Sequence, residues 1–561
     1  MSDTLLSRRV FVILPWIPLL LVFAYPILCK YDFSNSSLWY YDLFSMNPNI
    51  MWFLLLVVVA IALVNWNKKD IGLPSLIAVV LLFSVFEVTT NYPLMARDVY
   101  LQGSAVKGIL SQGTVANTSN NYPSTHPGFF LLWSIVAQVT GIDILSLNVL
   151  LLLPMSILML IFLMIFVNRR LSVETSYAAV LFAFLLMNFN TNEWTFIHFN
   201  TRLFSMLYVL LFLVLFSRLK GRGRSASLFI VFGALVISHV LNALLPVVFL
   251  AVYLLFERKR QNVSSSLVIG CGVIYVVWNL YFGYYLLQNG LTTFLNSFYV
   301  NRAITTVLEW SPLAAGAKPF FGTLLGTFYK LLLVILALIS IYAHVKLRNQ
   351  TNVRTLGFFL SAVALIYGLS FFSVLRDISI NRGILFASIG FASLLMILLT
   401  LNQGKSSHFL RRARPIMILF IVALIVPQFV LVHELPVARY ERVGTVDSTS
   451  TFVMNYRSNQ TIVSLGDFPI YYDFYEPFFK GYITLGLEGW NSLGNITSFL
   501  LAGPNSSLKV VDSKKIVDWG CILGNSQSYA EAVKQWNKEV FPELDSKLNR
   551  VYSNGYDTVF R

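Results

Sequence analysis

The residue types best suited to chemistry lie in one polar stretch, about residues 91–143, between two long apolar segments. The stretch contains Asp98, then Tyr100 and Lys107, and then His126 in a turn with two prolines. A carboxylate can remove the proton of an attacking hydroxyl group while the new bond forms, so Asp98 is the candidate catalytic base. Tyr100, Lys107 and His126 are candidates for substrate binding. An ion pair of Asp98 with Arg97 or Lys107 is the structural alternative for the acid.

Four further candidates for substrate binding, Arg202, His239, Arg376 and Arg382, are each predicted at the end of an apolar segment. Cations in that position can bind an anionic phosphate and stabilise it as a leaving group. Three of them also have a specific structural interpretation. Arg382 can anchor a helix at a membrane surface, Arg376 can pair with the adjacent aspartate, and His239 can be a structural hydrogen-bonding residue.

The elements that must position these residues are apolar helices. Hydrophobic residues make up 57% of the sequence and charged residues only 12%, and apolar segments recur as far as residue 433. A soluble core cannot bury that much apolar surface, so the sequence predicts an all-α polytopic membrane protein with about 13 transmembrane helices. They are predicted at about residues 10–28, 51–66, 73–90, 144–167, 173–190, 200–217, 226–238, 241–256, 265–287, 322–345, 356–374, 383–401 and 415–433.

The distribution of lysine and arginine predicts the orientation of these helices. Basic residues concentrate in alternate short loops, such as Arg169-Arg170, Arg218–Arg224 and Arg411–Arg414. Because positively charged loops stay inside, the N-terminus is predicted to be cytoplasmic and residues 91–143 to lie on the outer face. The net charge of +15 therefore reflects membrane topology, and we expect no nucleic-acid partner.

Two shorter apolar segments need separate treatment. Gly128–Thr140 is too short to cross a bilayer, so it is predicted as an outer, partly embedded helix. Residues 227–256 lie between two basic loops and are predicted as two short helices that meet near His239 and Asn242. Asp143 is predicted to cap the helix that follows it.

The remaining residues, 434–561, are predicted to form a small extracytoplasmic α/β domain after a membrane domain of residues 1–433. Strand patterns occur at residues 461–465 and 556–560, and a helix is predicted near residues 529–540.

No cofactor is predicted with certainty. Cys29, Cys271 and Cys521 have neither disulfide nor metal-ligand spacing, and Asp98 lacks nearby acidic residues that would complete a divalent metal site. A bound metal ion is therefore disfavoured. The sequence also lacks a P-loop and a dinucleotide fingerprint, so neither ATP nor a nucleotide-sugar donor is expected.

At Asp98 and the turn Tyr122-Pro123-Ser124-Thr125-His126-Pro127, the sequence resembles the GT-C superfamily of glycosyltransferases. In that superfamily an acidic residue of the first outer loop follows an early transmembrane helix and precedes a Pro-rich turn and a juxtamembrane helix. Its members include protein O-mannosyltransferases and the bacterial aminoarabinose transferase. The layout is similar from about residue 73 to 433, and the outer C-terminal domain resembles that of archaeal and bacterial members.

The resemblance implies a membrane glycosyltransferase that moves a sugar from a polyprenyl-phosphate donor to an acceptor on the outer face. Asp98 takes the position of the family's catalytic acid, and the acceptor would be a glycan, a lipid or a protein. The protein would be a multi-pass protein of the cell membrane, or of the ER membrane in a eukaryote. A second acid that is often found near the family's turn is absent here, and His126 stands in its place.

Two other functions remain as alternatives. An oligosaccharyltransferase has a similar layout, but its Trp-Trp-Asp-Tyr-Gly signature is missing, and Val517-Asp518-Trp519-Gly520 is a poor match. A lipid or solute transporter or flippase would have ionisable residues at mid-membrane. In this sequence such residues are few, chiefly Glu87 and Lys330.

Overall fold

The fold is seen in a computed structural model that describes residues 73–78, 94–115, 122–168, 177, 179–184, 200–219, 221–257, 265–284, 288, 320–347, 351–368, 380–401, 440–456, 462–465, 482–485, 500, 507–512, 538, 541–553 and 557–560. The predicted helices at about residues 10–28, 51–66 and 415–433 lie outside these residues. So do Arg376 and nearly all of the helix predicted near residues 529–540.

Between residues 97 and 401 the described chain consists mainly of helices. Most of them are formed by long apolar segments, and some begin at a residue whose side chain caps the helix. The side chain of Asp143 accepts backbone N–H bonds from Leu145 at 3.0 Å and from Ser146 at 3.3 Å, which confirms it as an N-cap. The helices are α1 (Arg97–Gln112), α2 (Tyr122–Thr125), α3 (Gly128–Thr140), α4 (Ile144–Asn168), α5 (Thr201–Arg218), α6 (Gly221–Val236), α7 (Val240–Glu257), α8 (Ser265–Tyr281), α9 (Phe320–Lys346), α10 (Thr351–Gly368) and α11 (Ile380–Leu401).

The long helices overlap the predicted ones. Each of α4 to α11 overlaps a predicted transmembrane helix, and residues 179–184 are helical within another. The short helix α3 has the predicted bounds, and α6 and α7 meet at residues 237–239 as expected. By length and composition alone, α4 and α5 are the described helices that could span a membrane, and α3 and α6 to α11 contain shorter apolar stretches.

The outer surface of this helical bundle is apolar. Side chains such as Ile230 and Phe256 are 74% and 73% exposed. Apolar residues also line the exposed faces of α8 and α9, namely Ile269, Val273, Val276, Val277, Leu331, Leu338, Ile341 and Val345. Extended apolar surface of this kind is rare on soluble proteins and suits hydrocarbon. The number of membrane crossings stays a prediction.

The bundle has two distinct ends. One end is here called the site end. Helices α3, α5 and α7 begin there, and α6 and α8 end there. At the opposite end, Arg218 donates from Nη2 to the carbonyl oxygen of Ile165 at 3.2 Å, and Arg224 lies over the ring of Phe216. The last turn of α9 there carries Lys346. The basic residues of these helix ends thus lie away from the site end.

The first described strand connects two distant parts of the chain. Strand β1 (Leu94–Ala96) pairs antiparallel with β2 (Tyr440–Arg442), and Met95 is opposite Glu441. Helix α1 follows β1 directly, and helix α12 (Val443–Tyr456) follows β2. The segment that leads into the C-terminal residues is therefore hydrogen-bonded to the segment that leads into the helix of Asp98.

A five-stranded mixed sheet contains the C-terminal strands. In addition to helix α13 (Phe541–Lys547), the elements are β3 (Ile462–Leu465), β4 (Tyr482–Leu485), β5 (Leu508–Asp512), β6 (Arg550–Ser553) and β7 (Asp557–Phe560). The order is β4-β3-β5-β7-β6, with β3 parallel to both of its neighbours and β7 antiparallel to both of its own. Strands β3 and β7 match the two predicted strand patterns. That residues 434–561 form a separate outer domain stays a prediction.

Candidate functional site

The turn that carries His126 lies between α2 and α3 at the site end. His126 is fully buried, and the Thr125 hydroxyl shares a hydrogen bond of 2.9 Å with its Nδ1. Burial lowers the pKa of His126 from 6.5 to about 4, because the charged imidazolium loses its hydration there. His126 is therefore a neutral imidazole near pH 7, able to hydrogen-bond but not to supply a positive charge.

Two contacts fix this turn to other helices. The backbone N–H of Gly128 donates to the carbonyl oxygen of Ile237 at 2.9 Å. The indole Nε1 of Trp278, on α8, donates to the carbonyl oxygen of Thr125 at 3.1 Å. A Cβ at Gly128 would lie only 2.6 Å from Ser238 Oγ, so the absence of a side chain allows the two turns to approach this closely.

His239 lies in the second turn, between α6 and α7. It is buried, and its Nδ1 accepts a hydrogen bond of 3.3 Å from the backbone N–H of Asn242. The side chain of Asn242 donates from Nδ2 to Ser205 Oγ on α5 at 2.6 Å. The turn of His239 is thus bonded to the turn of His126 on one side, through Gly128, and to α5 on the other.

Arg202 is the second residue of α5. The side chain of Asn200 caps this helix and accepts the backbone N–H groups of Arg202 at 3.0 Å and Leu203 at 2.9 Å. One turn later, Phe204 packs against Phe129 of α3 with ring centroids 5.7 Å apart. The start of α5 therefore lies beside the start of α3, which places Arg202, His126 and His239 on three neighbouring segments.

Asp98 is the second residue of α1, a helix that packs against α3. No helix is predicted there from the sequence, and the reason is that its apolar face is narrow. Val99, Tyr100 and Val106 are buried at helical spacing in the same core as residues of α3. Tyr100 is fully buried in this core, and its role in substrate binding stays a prediction. Lys107 is half-buried on the same helix.

The two remaining candidates are less closely tied to this group. Arg382 is the third residue of α11, whose start lies near the end of α10, where Phe386 stacks on Tyr367 with ring centroids 6.1 Å apart. Arg376 lies outside the described residues. The structure therefore brings together the segments of His126, His239 and Arg202, with the helix of Asp98 packed beside them.

Several residues of this site were missed from the sequence. Asn200 could have been found, because an asparagine before an apolar helix is a common capping signal. Contacts between segments distant in the sequence involve the other three, Ser205, Asn242 and Trp278. Such contacts cannot be predicted from local sequence patterns. Within the described part of the chain, no group of three or more histidine, cysteine, aspartate or glutamate residues could hold a metal ion.

Comparison with known proteins gives structural matches only. No protein-family model matches the sequence, and no curated protein sequence matches it. The apo Archaeoglobus fulgidus oligosaccharyltransferase matches with a TM-score of 0.47 at 14% identity, over 88% of this chain and 75% of that chain. ArnT from Cupriavidus metallidurans bound to undecaprenyl phosphate matches with a TM-score of 0.41 at 14% identity, over 91% of this chain and 98% of that chain.

The chain is similar to GT-C glycosyltransferases. A second structure of the Archaeoglobus enzyme, tethered to an acceptor peptide with an NVT sequon, matches with a TM-score of 0.46 at 13% identity, over 88% of this chain and 74% of that chain.

Proposed function

We propose that this protein is a membrane glycosyltransferase that moves a sugar from a polyprenyl-phosphate donor to an acceptor hydroxyl on the outer face of the membrane. One observation carries the proposal. The turns of His126 and His239 and the start of the Arg202 helix contact one another at one end of an apolar bundle, beside the helix that begins at Arg97-Asp98.

The apolar exterior of the bundle supports a lipid-linked substrate. A donor with a polyprenyl chain can lie along exposed faces such as those of α8 and α9 while its phosphate stays at the polar end of the helices. We propose that the site end faces outward, with the N-terminus in the cytoplasm and residues 434–561 on the outer side.

The chemistry assigns different roles to the acid and to the cations. Asp98 accepts the proton of the acceptor hydroxyl as that oxygen attacks the anomeric carbon. The bond from the anomeric carbon to the phosphate oxygen then breaks, and the polyprenyl phosphate leaves as an anion. Arg202 and Arg382, with Arg376 and Lys107, supply positive charge for this leaving group.

The two histidines act as hydrogen-bonding groups in this proposal. His126 is neutral near pH 7, so it can orient a sugar or acceptor hydroxyl without adding charge. His239 is held by its Nδ1 and lies between His126 and the Arg202 helix. The acceptor hydroxyl belongs to a glycan, a lipid or a protein.

An assay of sugar transfer by the purified full-length protein tests the proposal. The protein in lipid nanodiscs is given a labelled polyprenyl-phosphate sugar and a mixture of membrane glycans, lipids and proteins as acceptors. We expect Asp98→Asn to abolish transfer. The matched control is Asp143→Asn, because asparagine caps a helix as well as aspartate does, and transfer should continue. Unchanged transfer by Asp98→Asn would show that Asp98 is not the catalytic base.

The same assay separates the alternative functions. Transfer to a peptide with an Asn-X-Thr sequon would indicate an oligosaccharyltransferase. Movement of the labelled lipid between the two leaflets, with no cleavage of its sugar, would indicate a flippase. Either result would contradict the proposed transfer of a sugar to a hydroxyl group and favour the alternative function.

A further inference from the structure

A chain of hydrogen bonds, two of them buried and one part-buried, joins the start of α5 to the turn of His239. Asn242 donates from Nδ2 to Ser205 Oγ at 2.6 Å, and Ser205 Oγ donates to the carbonyl oxygen of Arg202 at 3.0 Å. The backbone N–H of Asn242 donates to His239 Nδ1 at 3.3 Å. A single residue therefore contacts His239 through its backbone and the turn of Arg202 through its side chain.

Ser205 differs from Ser340 and Ser393, two other buried serines of the bundle. Ser340 and Ser393 each donate to the carbonyl oxygen four residues earlier in their own helix, at 2.8 Å and 2.7 Å, which satisfies the hydroxyl locally. Ser205 donates within its own helix as well, but it also accepts a bond from a second helix. A polar bond between helices in an apolar core fixes their relative position, because slippage would leave a buried donor without its acceptor.

The bond to His239 also determines where its proton lies. Since Nδ1 accepts from a backbone N–H, the neutral imidazole has its hydrogen on Nε2. Nε2 is then a hydrogen-bond donor, the character needed to bind an anionic oxygen. The guanidinium of Arg202 is a donor of the same kind.

We propose that Asn242 is a positioning residue that holds Arg202 and His239 in the relative placement needed to bind one phosphate group. The ligand follows from the proposed function, on which this inference rests. Asn242 itself does not touch the substrate. Its side chain bonds Ser205, Ser205 bonds the first turn of α5, and that turn bears Arg202, whose backbone N–H is held in addition by Asn200.

The first test measures the interhelical bond without any assay of transfer. The free energy of unfolding is measured for full-length Ser205→Ala, Asn242→Leu and the double variant. We expect each single variant to be less stable, and the double variant to lose less than the two losses added together. Additive losses would show that Ser205 and Asn242 do not interact, and would overturn the inference.

The second test measures binding of undecaprenyl phosphate, without a sugar, to the protein in nanodiscs. We expect Asn242→Leu to weaken binding roughly ten- to hundredfold, since small displacements of positioned groups have effects of that size. Arg202→Gln should weaken it as well, and Arg202→Gln with Asn242→Leu should be little weaker than Arg202→Gln alone. The matched control is Ser393→Ala, which removes a buried hydroxyl that, among the described residues, bonds only within its own helix, to the carbonyl oxygen of Ile389.

The outcomes separate this inference from the proposed function. If Asn242→Leu binds normally while Arg202→Gln binds weakly, the positioning role is wrong and the cation role stands. If both bind normally, the positioning role is wrong and the assignment of Arg202 to the phosphate is wrong too. If Asn242→Leu and Ser393→Ala weaken binding equally, Asn242 has only the general effect of any core substitution, and the inference is again overturned.

Discussion

The backbone N–H of Gly128 donates to the carbonyl oxygen of Ile237 at 2.9 Å, and this bond joins the two turns that carry the histidines. The contact is so close that a Cβ at Gly128 would lie 2.6 Å from Ser238 Oγ and 3.1 Å from the Ile237 oxygen. The position of His126 relative to His239 therefore depends on a residue without a side chain.

Replacing Gly128 by alanine should separate these turns. We expect Gly128→Ala to lower the free energy of unfolding by about 1–3 kcal/mol, as overpacking does, and to weaken binding of polyprenyl phosphate. The control is Gly233→Ala on α6, where a Cβ meets open space and an alanine should be neutral or slightly stabilising. Equal stability of the two variants in thermal unfolding would contradict the importance of the close contact.

Trp278 holds the other side of the His126 turn. Trp278→Phe keeps an aromatic ring but removes the N–H that bonds Thr125, so we expect a loss of about 0.5–1.5 kcal/mol in the free energy of unfolding. Phe282→Leu is the matched control, because it removes the ring that packs on Trp278 and leaves the hydrogen bond in place. Hydrogen exchange at residues 122–128 should increase in the first variant and stay unchanged in the second.

The buried neutral state of His126 predicts a dependence of stability on pH. In the unfolded chain this histidine gains a proton near pH 6.5, whereas in the folded protein it gains the proton only near pH 4. The free energy of unfolding should therefore fall as pH decreases through that interval, by about 3 kcal/mol at most from this residue. His126→Gln should show a smaller fall when denaturant unfolding is measured at several pH values. The same fall in both proteins would refute this contribution.

The pairing of β1 with β2 can be tested by a disulfide. Because Met95 and Glu441 are directly opposite, the variant Met95→Cys with Glu441→Cys should form a disulfide under mild oxidation. The native cysteines are replaced by alanine, and the bond is detected by a shift in gel mobility that a reducing agent reverses. Met95→Cys with Arg442→Cys should not cross-link, because neighbouring residues of a strand point to opposite faces. Equal cross-linking of both pairs would argue against this register.

The elements that were predicted from the sequence are those with a strong local signal. Apolar runs predicted helices α4 to α11, the shortness of one run predicted α3, and a lone aspartate predicted the cap at Asp143. Helix α1 was missed because Val99, Tyr100 and Val106 are spread among small and polar residues, which makes its apolar face narrow. The contact of Asn242 with Ser205 was missed because hydrogen bonds between distant segments leave no periodic pattern.

The antiparallel pairing of Leu94–Ala96 with Tyr440–Arg442 also has a consequence for biosynthesis. The two strands are separated by about 350 residues, so closing this loop is a late, non-local event. At ribosomal rates of about 5–20 residues per second, the first strand waits roughly 20 to 70 s for its partner. A nascent chain released before Tyr440 would contain Asp98, His126, Arg202, His239 and Arg382, yet the segment before Asp98 would lack its strand partner.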